Sequence, residues 1–232
     1  MKSTYTSALI VGAGSGLSAS LARTFTKAGM TVALAARSAA KLNEFVQATG
    51  CKAFTCDAVK RVEVDRLFAD LDAAHLTPDV VVYNASYRTR GPLLELDPVE
   101  VEKAIAITAF GGFLVAQAAV KRMLPRARGA ILFTGASASV KGYAQSAPFA
   151  MGKFALRGLA QSMARELQPQ GIHVAHVVID GGIKSTRRPE PADAPDSLLD
   201  PDAIAASYLQ LLAQPRSAWT AELELRPWVE KF

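Results

Sequence analysis

Cysteine and histidine are scarce in this chain, with two and three copies among 232 residues. Cys51 and Cys56 lie five positions apart in a strand-like stretch, so their side chains are expected on opposite faces of the strand. Cysteines placed in this way do not readily bridge each other or share a metal ion. We therefore expect buried free thiols. His75, His173 and His176 suggest neither a metal site nor a Ser-His pair.

Long apolar runs and basic clusters are also lacking. The polar residues 1–7 lead directly into a short apolar run at residues 8–11, without the apolar core of a signal peptide and without a membrane-length span. These features favour a soluble, cytoplasmic protein with no membrane partner. The net charge is +5, but no basic run is interleaved with aromatic residues. A nucleic-acid partner would rest on net charge alone and is not expected, since the charge equally suits phosphate groups on a small ligand.

The apolar pattern predicts one α/β domain over residues 1–232. Half of the residues are hydrophobic, which is enough for one large core. Near-continuous apolar strands, with helical stretches between them, are typical of a parallel sheet covered by helices on both faces. The crossover rule then favours a doubly wound, Rossmann-type sheet in three layers. The predicted strands cover residues 8–11, 31–35, 53–56, 80–83, 130–133, 173–179 and 221–225.

The predicted helices end at residues that stop a helix for known reasons. Gly29 and Gly50 follow the first two helices, and Pro169 follows a long later one. Prolines alternate with charges in residues 184–201, which predicts a mobile loop. The helices assigned from these signals cover residues 18–28, 38–49, 150–167 and 202–212.

The most informative stretch joins the first strand to the first helix. Glycines there let the backbone turn sharply and approach a pyrophosphate, while the helix N-terminal amides receive its charge. A glycine cluster alone is weak evidence, but its position at the end of the first strand favours phosphate binding over a plain turn. The predicted phosphate contacts are Gly12, Gly14, Ser15, Gly16 and Leu17.

The end of the second strand indicates which dinucleotide would bind. No carboxylate is available there for ribose hydroxyls, whereas Arg37 and Ser38 stand where a 2'-phosphate would lie. NADP(H) is therefore favoured over NAD(H); the alternative is a solvated arginine at a helix start. Asp57 follows the third strand and is expected either to accept from the adenine amino group or to cap the next helix.

Four motifs together resemble the classical short-chain dehydrogenase/reductase family over nearly the whole chain. The glycine motif ends in Ser18 instead of glycine, and Ser86 replaces the glycine of the family's Asn-Ala-Gly. The segment from Phe149 to Lys153 stands where the family has Tyr-x-x-x-Lys. Residues 180–183, Asp-Gly-Gly-Ile, stand where it has Pro-Gly.

This resemblance implies further cofactor contacts and a homo-oligomer. The implied substrate is a small carbonyl or alcohol compound. The implied oligomer is a dimer or tetramer that packs through the helices around residues 104–124 and 150–168. The cofactor contacts that the resemblance adds are Ala58, Asn84, Ala85, Lys153, Gly181, Ile183 and Ser185.

The resemblance also implies departures at the catalytic positions. Phe149 occupies the tyrosine position, and a phenyl ring cannot give or take a proton. Lys153 is kept, with an expected role in holding the nicotinamide ribose. Thr108 stands where the family has asparagine, which leaves a hydroxyl in place of an amide.

The serine position and the replacement proton donor remain open. The family separation places Ala136 at the serine position, although a small loop shift would present Ser137 or Ser139. Tyr143 and Tyr87 are candidates for a substitute donor. The sequence thus predicts an NADP(H)-dependent oxidoreductase with an atypical proton donor. The alternative is a cofactor-binding sensor or partner protein without turnover.

Overall fold

The computed structural model describes residues 4–230, apart from the side chains of Lys41 and Glu44; residues 1–3 and 231–232 of the predicted domain lie outside the described part. Strands and helices alternate along the chain. The strands are β1 (Ser7–Val11), β2 (Thr31–Ala36), β3 (Lys52–Thr55), β4 (Val80–Tyr83), β5 (Gly129–Thr134), β6 (Ile172–Ile179) and β7 (Glu222–Leu225). The helices are α1 (Leu17–Lys27), α2 (Asn43–Thr49), α3 (Arg61–Ala73), α4 (Pro98–Ile105), α5 (Gly111–Met123), α6 (Ala147–Leu167) and α7 (Pro201–Leu212).

All seven strands form one parallel sheet in the order β3-β2-β1-β4-β5-β6-β7. The strand order reverses at β1, whose last residue Val11 pairs with Ala35 of β2 and with Tyr83 of β4. The carboxyl ends of these three strands therefore open a crevice at one edge of the sheet, where doubly wound folds bind ligands. The predicted three-layer Rossmann-type fold is confirmed.

Each face of the sheet has its own hydrophobic core because successive residues of a strand point in opposite directions. Leu9 packs with α3, α5 and α6 on one face, and Ile10 packs with α1 and α7 on the other. Cys51 and Cys56 lie in these two different cores as buried free thiols, as predicted.

Several predicted boundaries were wrong by a few residues. Helix α6 begins at Ala147 instead of 150, because Pro148 fits the first turn of a helix, where its missing N–H is not needed. The predicted helix 38–49 divides into a 3₁₀ turn, Ala39–Leu42, and α2. The predicted loop 184–201 ends one residue early, since Asp200 caps α7 and Pro201 starts it.

The stretch Pro98–Arg126 is long and apolar enough to cross a membrane by length and composition. Half of its most apolar window is buried inside the fold, where α5 packs on the sheet and α4 packs against α6. It therefore has the character of a core helix. A π-helical turn, Ala106–Phe110, interrupts it next to the crevice, and such turns are frequent at functional sites.

Candidate active site

The glycine loop after β1 is held tightly against β2 and β4. Gly12 has a φ of 86°, and the amides of Gly12 and Ala13 both donate to the Ala35 carbonyl at 3.0 and 3.1 Å. A Cβ at position 12 would collide with the backbone of Ala85. Glycine is therefore required here by both conformation and space.

Ser18, which replaces the last glycine of the family motif, takes part in this packing. Its hydroxyl donates to the Gly12 carbonyl at 3.0 Å and accepts from the Asn84 side-chain amide at 2.8 Å. The hydroxyl thus ties the loop to the end of β4. The substitution preserves the turn and fixes the orientation of Asn84.

The N-terminus of α1 is open toward the crevice. Gly16 is the N-cap and provides no capping side chain, and no acidic residue lies in the first turn. A Cβ at Gly14 or Gly16 would meet nothing within 4 Å. The lack of a side-chain cap, the helix dipole and this open space together favour an anion such as a pyrophosphate.

A cavity of about 500 Å³ follows the crevice along the ends of β1, β2 and β4. It brings together most of the predicted cofactor residues: Gly12, Gly14, Ser15, Arg37, Ser38, Asp57, Ala58, Asn84 and Ala85. Gly16, Lys153, Gly181, Ile183 and Ser185 are not among its lining residues, and the Leu17 side chain points into the core. Sequence reasoning missed its apolar wall, which includes Leu42, Val59 and Ile107, because loops after strands carry no periodic signal.

The end of this cavity next to β2 and β3 carries one cation, Arg37, and one carboxylate, Asp57. Arg37 is exposed, and no carboxylate among the described side chains pairs with it. Asp57 accepts from the Val59 amide at 3.4 Å, whereas the N-cap of α3 is Lys60. Asp57 is therefore not the N-cap of α3, one of its two predicted roles. Its carboxylate accepts a hydrogen bond within the turn that precedes the helix.

Lys153 and Phe149 lie one turn apart on α6. Lys153 is 3% exposed, and its ammonium group donates to the Thr134 carbonyl at 2.7 Å. Burial lowers the pKa of Lys153 to about 8. The ammonium nitrogen lies 5.7 Å from the centroid of the Phe149 ring, which itself offers no polar atom.

Thr108 lies on the π-helical turn and is fully buried. Its hydroxyl oxygen accepts from the Tyr87 amide at 3.3 Å, and its Cβ lies 2.9 Å from where a Cβ at Gly152 would be. Gly152 therefore allows α6 to approach the π turn. Thr108 thus lies next to the helix that carries Lys153.

The two candidate serines follow Ala136 on a 3₁₀ turn, Ser137–Ser139. The Ser139 hydroxyl is buried and accepts from the Ala136 amide at 3.1 Å, so it stabilises the turn. Ser137 is half-buried, and its hydroxyl makes no hydrogen bond to another described residue. Ser137 is therefore the serine that remains available to a substrate.

Neither candidate tyrosine is joined to Lys153. The Tyr87 hydroxyl donates to Glu100 in a short hydrogen bond and accepts from Lys103 at 3.3 Å, which occupies it on α4. Tyr143 lies on the loop before α6 and is about half exposed. Among the described contacts, the Lys153 ammonium donates to the Thr134 carbonyl and not to either tyrosine hydroxyl.

The loop after β6 is held by contacts with distant segments of the chain. Gly181 has a φ of 150°, and a Cβ there would lie 2.8 Å from Pro227. Asp180, which takes the place of the motif's proline, is buried between Lys141 at 3.6 Å and Arg226 at 3.4 Å. Sequence reasoning missed this role because both cations come from distant segments. Ile183 forms an isolated bridge with Leu199, and Ser185 forms one with Arg188.

The histidines are structural within the described part of the chain. His173 stacks on Trp219 and contacts the Thr220 carbonyl, while His176 contacts Glu222 at 3.1 Å. Burial lowers the pKa of His176 to about 4. Among residues 4–230, no group of three or more His, Cys, Asp or Glu side chains could hold a metal ion.

Comparisons with known proteins agree with this geometry. The model of the short chain dehydrogenase family matches residues 6–194. A short-chain dehydrogenase from Rhodopseudomonas palustris has 36% identity and a TM-score of 0.82, covering 96% of this chain and 99% of that one. A metagenomic short-chain oxidoreductase, solved in complex with NADP, has 28% identity and a TM-score of 0.82, covering 96% and 97%.

Among curated proteins, an uncharacterized oxidoreductase of Staphylococcus aureus strain MRSA252 is 26% identical over 227 residues, which is 95% of this chain and 96% of the relative. The family model, the solved relatives and the curated relative each extend over most of the chain, including the glycine loop and α6. The chain therefore belongs to the short-chain dehydrogenase family.

Proposed function

We propose that the protein is an NADP(H)-dependent oxidoreductase that interconverts a small carbonyl compound and its alcohol. The observation that carries the cofactor assignment is the cavity along β1, β2 and β4, where Arg37 lies beside Ser38 and no carboxylate replaces it. An arginine recognises the 2'-phosphate of NADP(H) by charge-assisted hydrogen bonds. The metagenomic relative, whose structure contains NADP, supports the same choice.

Three groups of residues would each hold a different part of the cofactor. The glycine loop and the N-terminus of α1 would hold the pyrophosphate, and Arg37 with Ser38 would hold the 2'-phosphate. Asp57, Ala58, Asn84 and Ala85 would position the adenine and nicotinamide ends, with Ile183 and Ser185 above the nicotinamide. When bound, the nicotinamide supplies or accepts the hydride.

Lys153 would donate the proton that the substrate oxygen gains during carbonyl reduction. On our alignment Phe149 stands in the place of the family's catalytic tyrosine, and its ring cannot exchange a proton. Lys153 lies one turn later, and its pKa of about 8 suits exchange near neutrality, relayed by solvent to the substrate oxygen. Because the protonated lysine would be the donor, the rate of carbonyl reduction should fall as pH rises through about 8.

A fluorescence titration of the unmodified protein with NADPH and with NADH tests the cofactor assignment. We expect NADPH to bind at least about tenfold more tightly, the size of one charge-assisted contact. Equal affinities would contradict the assignment. A turnover screen with aldehydes and ketones would follow with the cofactor that binds.

A second function, cofactor binding without turnover, is favoured by one observation. Phe149 and Ala136 offer no polar group where the family's tyrosine and serine act, and Ser139 is used within its own turn. A sensor or partner protein would bind NADPH as above. With every carbonyl in the screen, such a protein would oxidise NADPH no faster than a sample without protein. An oxidoreductase would oxidise it faster with at least one carbonyl.

We also propose that this single-domain, cytoplasmic protein forms a homodimer or homotetramer through α5 and α6. Large apolar side chains are exposed on these helices and on the π-helical turn before α5: Phe110, Phe113, Met151 and Phe154. Light scattering should give the mass of an oligomer, which Phe154→Glu should lower. The same change at exposed Val62 on α3 is the control and should leave the mass unchanged.

A further inference from the structure

Arg88 brings a positive charge to the face of Phe149. It lies on the loop after β4, and its guanidinium carbon is 4.9 Å from the centroid of the Phe149 ring. The Lys153 ammonium lies 5.7 Å from the same centroid. Two cations therefore adjoin the ring at the position where the family transfers its proton.

Two further arginines lie close enough to Arg88 for their charges to act on it. Arg88 is exposed, but partial desolvation and, after it, the charges of Arg90 and Arg188 lower its pKa from the ordinary value. Arg188 belongs to the loop after β6, where a Cβ at Gly182 would lie 2.7 Å from its Nη1 atom. Reciprocal backbone hydrogen bonds with Ser185 at 3.0 and 3.1 Å hold that turn. The cluster thus joins the two loops that border the candidate substrate site.

No acidic side chain neutralises this cluster. Among the described side chains, no carboxylate lies within ion-pair distance of Arg88, Arg90 or Arg188. Three acids on the neighbouring segments are paired with other cations: Glu100 with Lys103 at 2.9 Å, Asp180 with Lys141 at 3.6 Å and Glu190 with Lys184 at 3.2 Å. Like charges that converge without a partner repel, so the arrangement favours an anionic ligand.

We propose that the substrate carries an anionic group, a carboxylate or a phosphate, close to its reacting carbonyl or carbinol carbon, and that Arg88 binds this group with support from Arg188. The inference rests on the proposed oxidoreductase function and names its substrate class. A guanidinium forms two parallel hydrogen bonds to a carboxylate or a phosphate. Arg88 would orient the reacting carbon next to Phe149, over whose ring its guanidinium lies.

The reaction balances as an ordinary two-electron reduction. The carbonyl carbon gains a hydride from NADPH, the carbonyl π bond breaks, and the oxygen gains one proton to give the alcohol and NADP⁺. The anionic group is not consumed. Arg88 and Arg188 therefore act in substrate binding and orientation, whereas the proton comes by the route through Lys153.

Matched pairs of substrates test the proposal. The rate of NADPH oxidation is measured with acetoacetate and methyl acetoacetate, with 2-oxobutyrate and its methyl ester, and with dihydroxyacetone phosphate and dihydroxyacetone. The unmodified protein is compared with Arg88→Gln and Arg188→Gln. Arg165→Gln, which removes the same charge from an exposed site on α6, is the control. A preference in the acetoacetate or 2-oxobutyrate pair would indicate a carboxylate substrate. A preference in the dihydroxyacetone phosphate pair would indicate a phosphate substrate.

We expect kcat/KM for the anion to exceed that for its neutral partner by roughly ten- to a hundredfold in at least one pair. Arg88→Gln should remove this preference while kcat/KM for the neutral partner and the Kd of NADPH change less than about twofold. Arg188→Gln should reduce the preference by a smaller factor, and Arg165→Gln should leave it intact. A preference that survives Arg88→Gln, or no preference in any pair, overturns the proposal. A tenfold rise in the Kd of NADPH in Arg88→Gln also overturns it, since Arg88 would then bind the cofactor.

Calorimetric binding of the same anions separates this inference from the proposed function. If NADPH and NADH both fail to bind but an anion binds in a manner that requires Arg88, the proposed function fails and the anion site stands. If NADPH binds and no anion binds to the NADP⁺-loaded protein in a manner that requires Arg88, the inference fails alone. This readout applies even where no substrate is turned over.

Discussion

The glycine loop and the segment of α6 from Phe149 to Lys153 both differ from the family motifs on the motif match proposed above, but with different consequences. In the loop, Ser18 stands in the place of a glycine and makes hydrogen bonds to Gly12 and Asn84, so the turn is kept. On α6, the same match puts Phe149 in the place of a tyrosine, and among the described residues no hydroxyl makes a hydrogen bond to Lys153.

The difference reflects what each region has to do. Pyrophosphate binding depends on backbone amides, a helix dipole and open space, which a small side chain can support as well as glycine can. Proton transfer depends on one ionisable atom at one point in space, and a phenyl ring cannot replace it. We infer that this chain has kept the family's cofactor binding but not its tyrosine-based proton transfer.

The largest expected effect is on the glycine loop. Gly16→Val should weaken NADPH binding by roughly a hundredfold or more, because a branched side chain would occupy the space where a phosphate meets the first-turn amides. Fluorescence titration measures the affinity, and circular dichroism checks the fold. Gly158→Val is the matched control, because position 158 on α6 is equally open. A folded Gly16→Val protein with unchanged affinity would place the cofactor elsewhere.

A smaller effect is expected at the end of β2. Arg37→Ala should reduce the ratio of NADPH to NADH affinity by about tenfold or more, by loss of a charge-assisted contact with the 2'-phosphate. The affinity for NADH should stay nearly constant, which separates a specific contact from general damage. Arg165→Ala removes the same charge at a distance. If both variants change the ratio equally, long-range charge and not Arg37 selects the cofactor.

The smallest expected effect is on stability, through the free-energy cost of burying the charged form of Lys153. Its folded-state pKa of about 8 lies below its ordinary value of 10.5, so the charged form destabilises the folded protein. Below pH 8 the lysine is protonated in both states and the full cost is present; the cost disappears as pH rises from 8 to 10.5. Lys153→Met should therefore raise the melting temperature at pH 7 by about 3 °C.

The pH dependence of this difference in melting temperature tests whether the buried charge is its cause. The advantage of Lys153→Met over the unmodified protein should shrink between pH 8 and 10, as measured by differential scanning calorimetry. The exposed Lys121, changed to methionine, is the control and should give no such trend. A Lys153→Met protein that is less stable at every pH would mean that the hydrogen bond to Thr134 outweighs the burial cost.

The fold was predictable because its signals are local and repeated. Val80–Tyr83 is a run of apolar residues that can only be a buried strand between two loops, and the structure has it with the predicted bounds. The glycine loop was predictable because its neighbours, a strand and a helix, are both contiguous with it. Arg37 was found in the same way, from its position after β2.

The surroundings of Phe149 and Lys153 were less predictable because the contacts there join distant segments. Nothing near Asp180 in the sequence indicates Lys141 and Arg226 as its partners. Arg88 and Arg188 lie a hundred positions apart in the sequence, and no local pattern predicts that the charge of Arg188 lowers the pKa of Arg88. Tyr87 was a reasonable donor candidate until the structure placed its hydroxyl on Glu100.

The separation of binding from proton transfer is tested most directly by restoring the missing groups in Phe149→Tyr with Ala136→Ser. The new hydroxyl would stand one turn before Lys153, whose charge would lower the tyrosine's pKa. We predict a gain in kcat/KM of at least about tenfold for carbonyl reduction, with the Kd of NADPH changed less than about twofold. Unchanged NADPH affinity with no gain in kcat/KM would contradict the account, because Phe149 would then not occupy the proton-donor position.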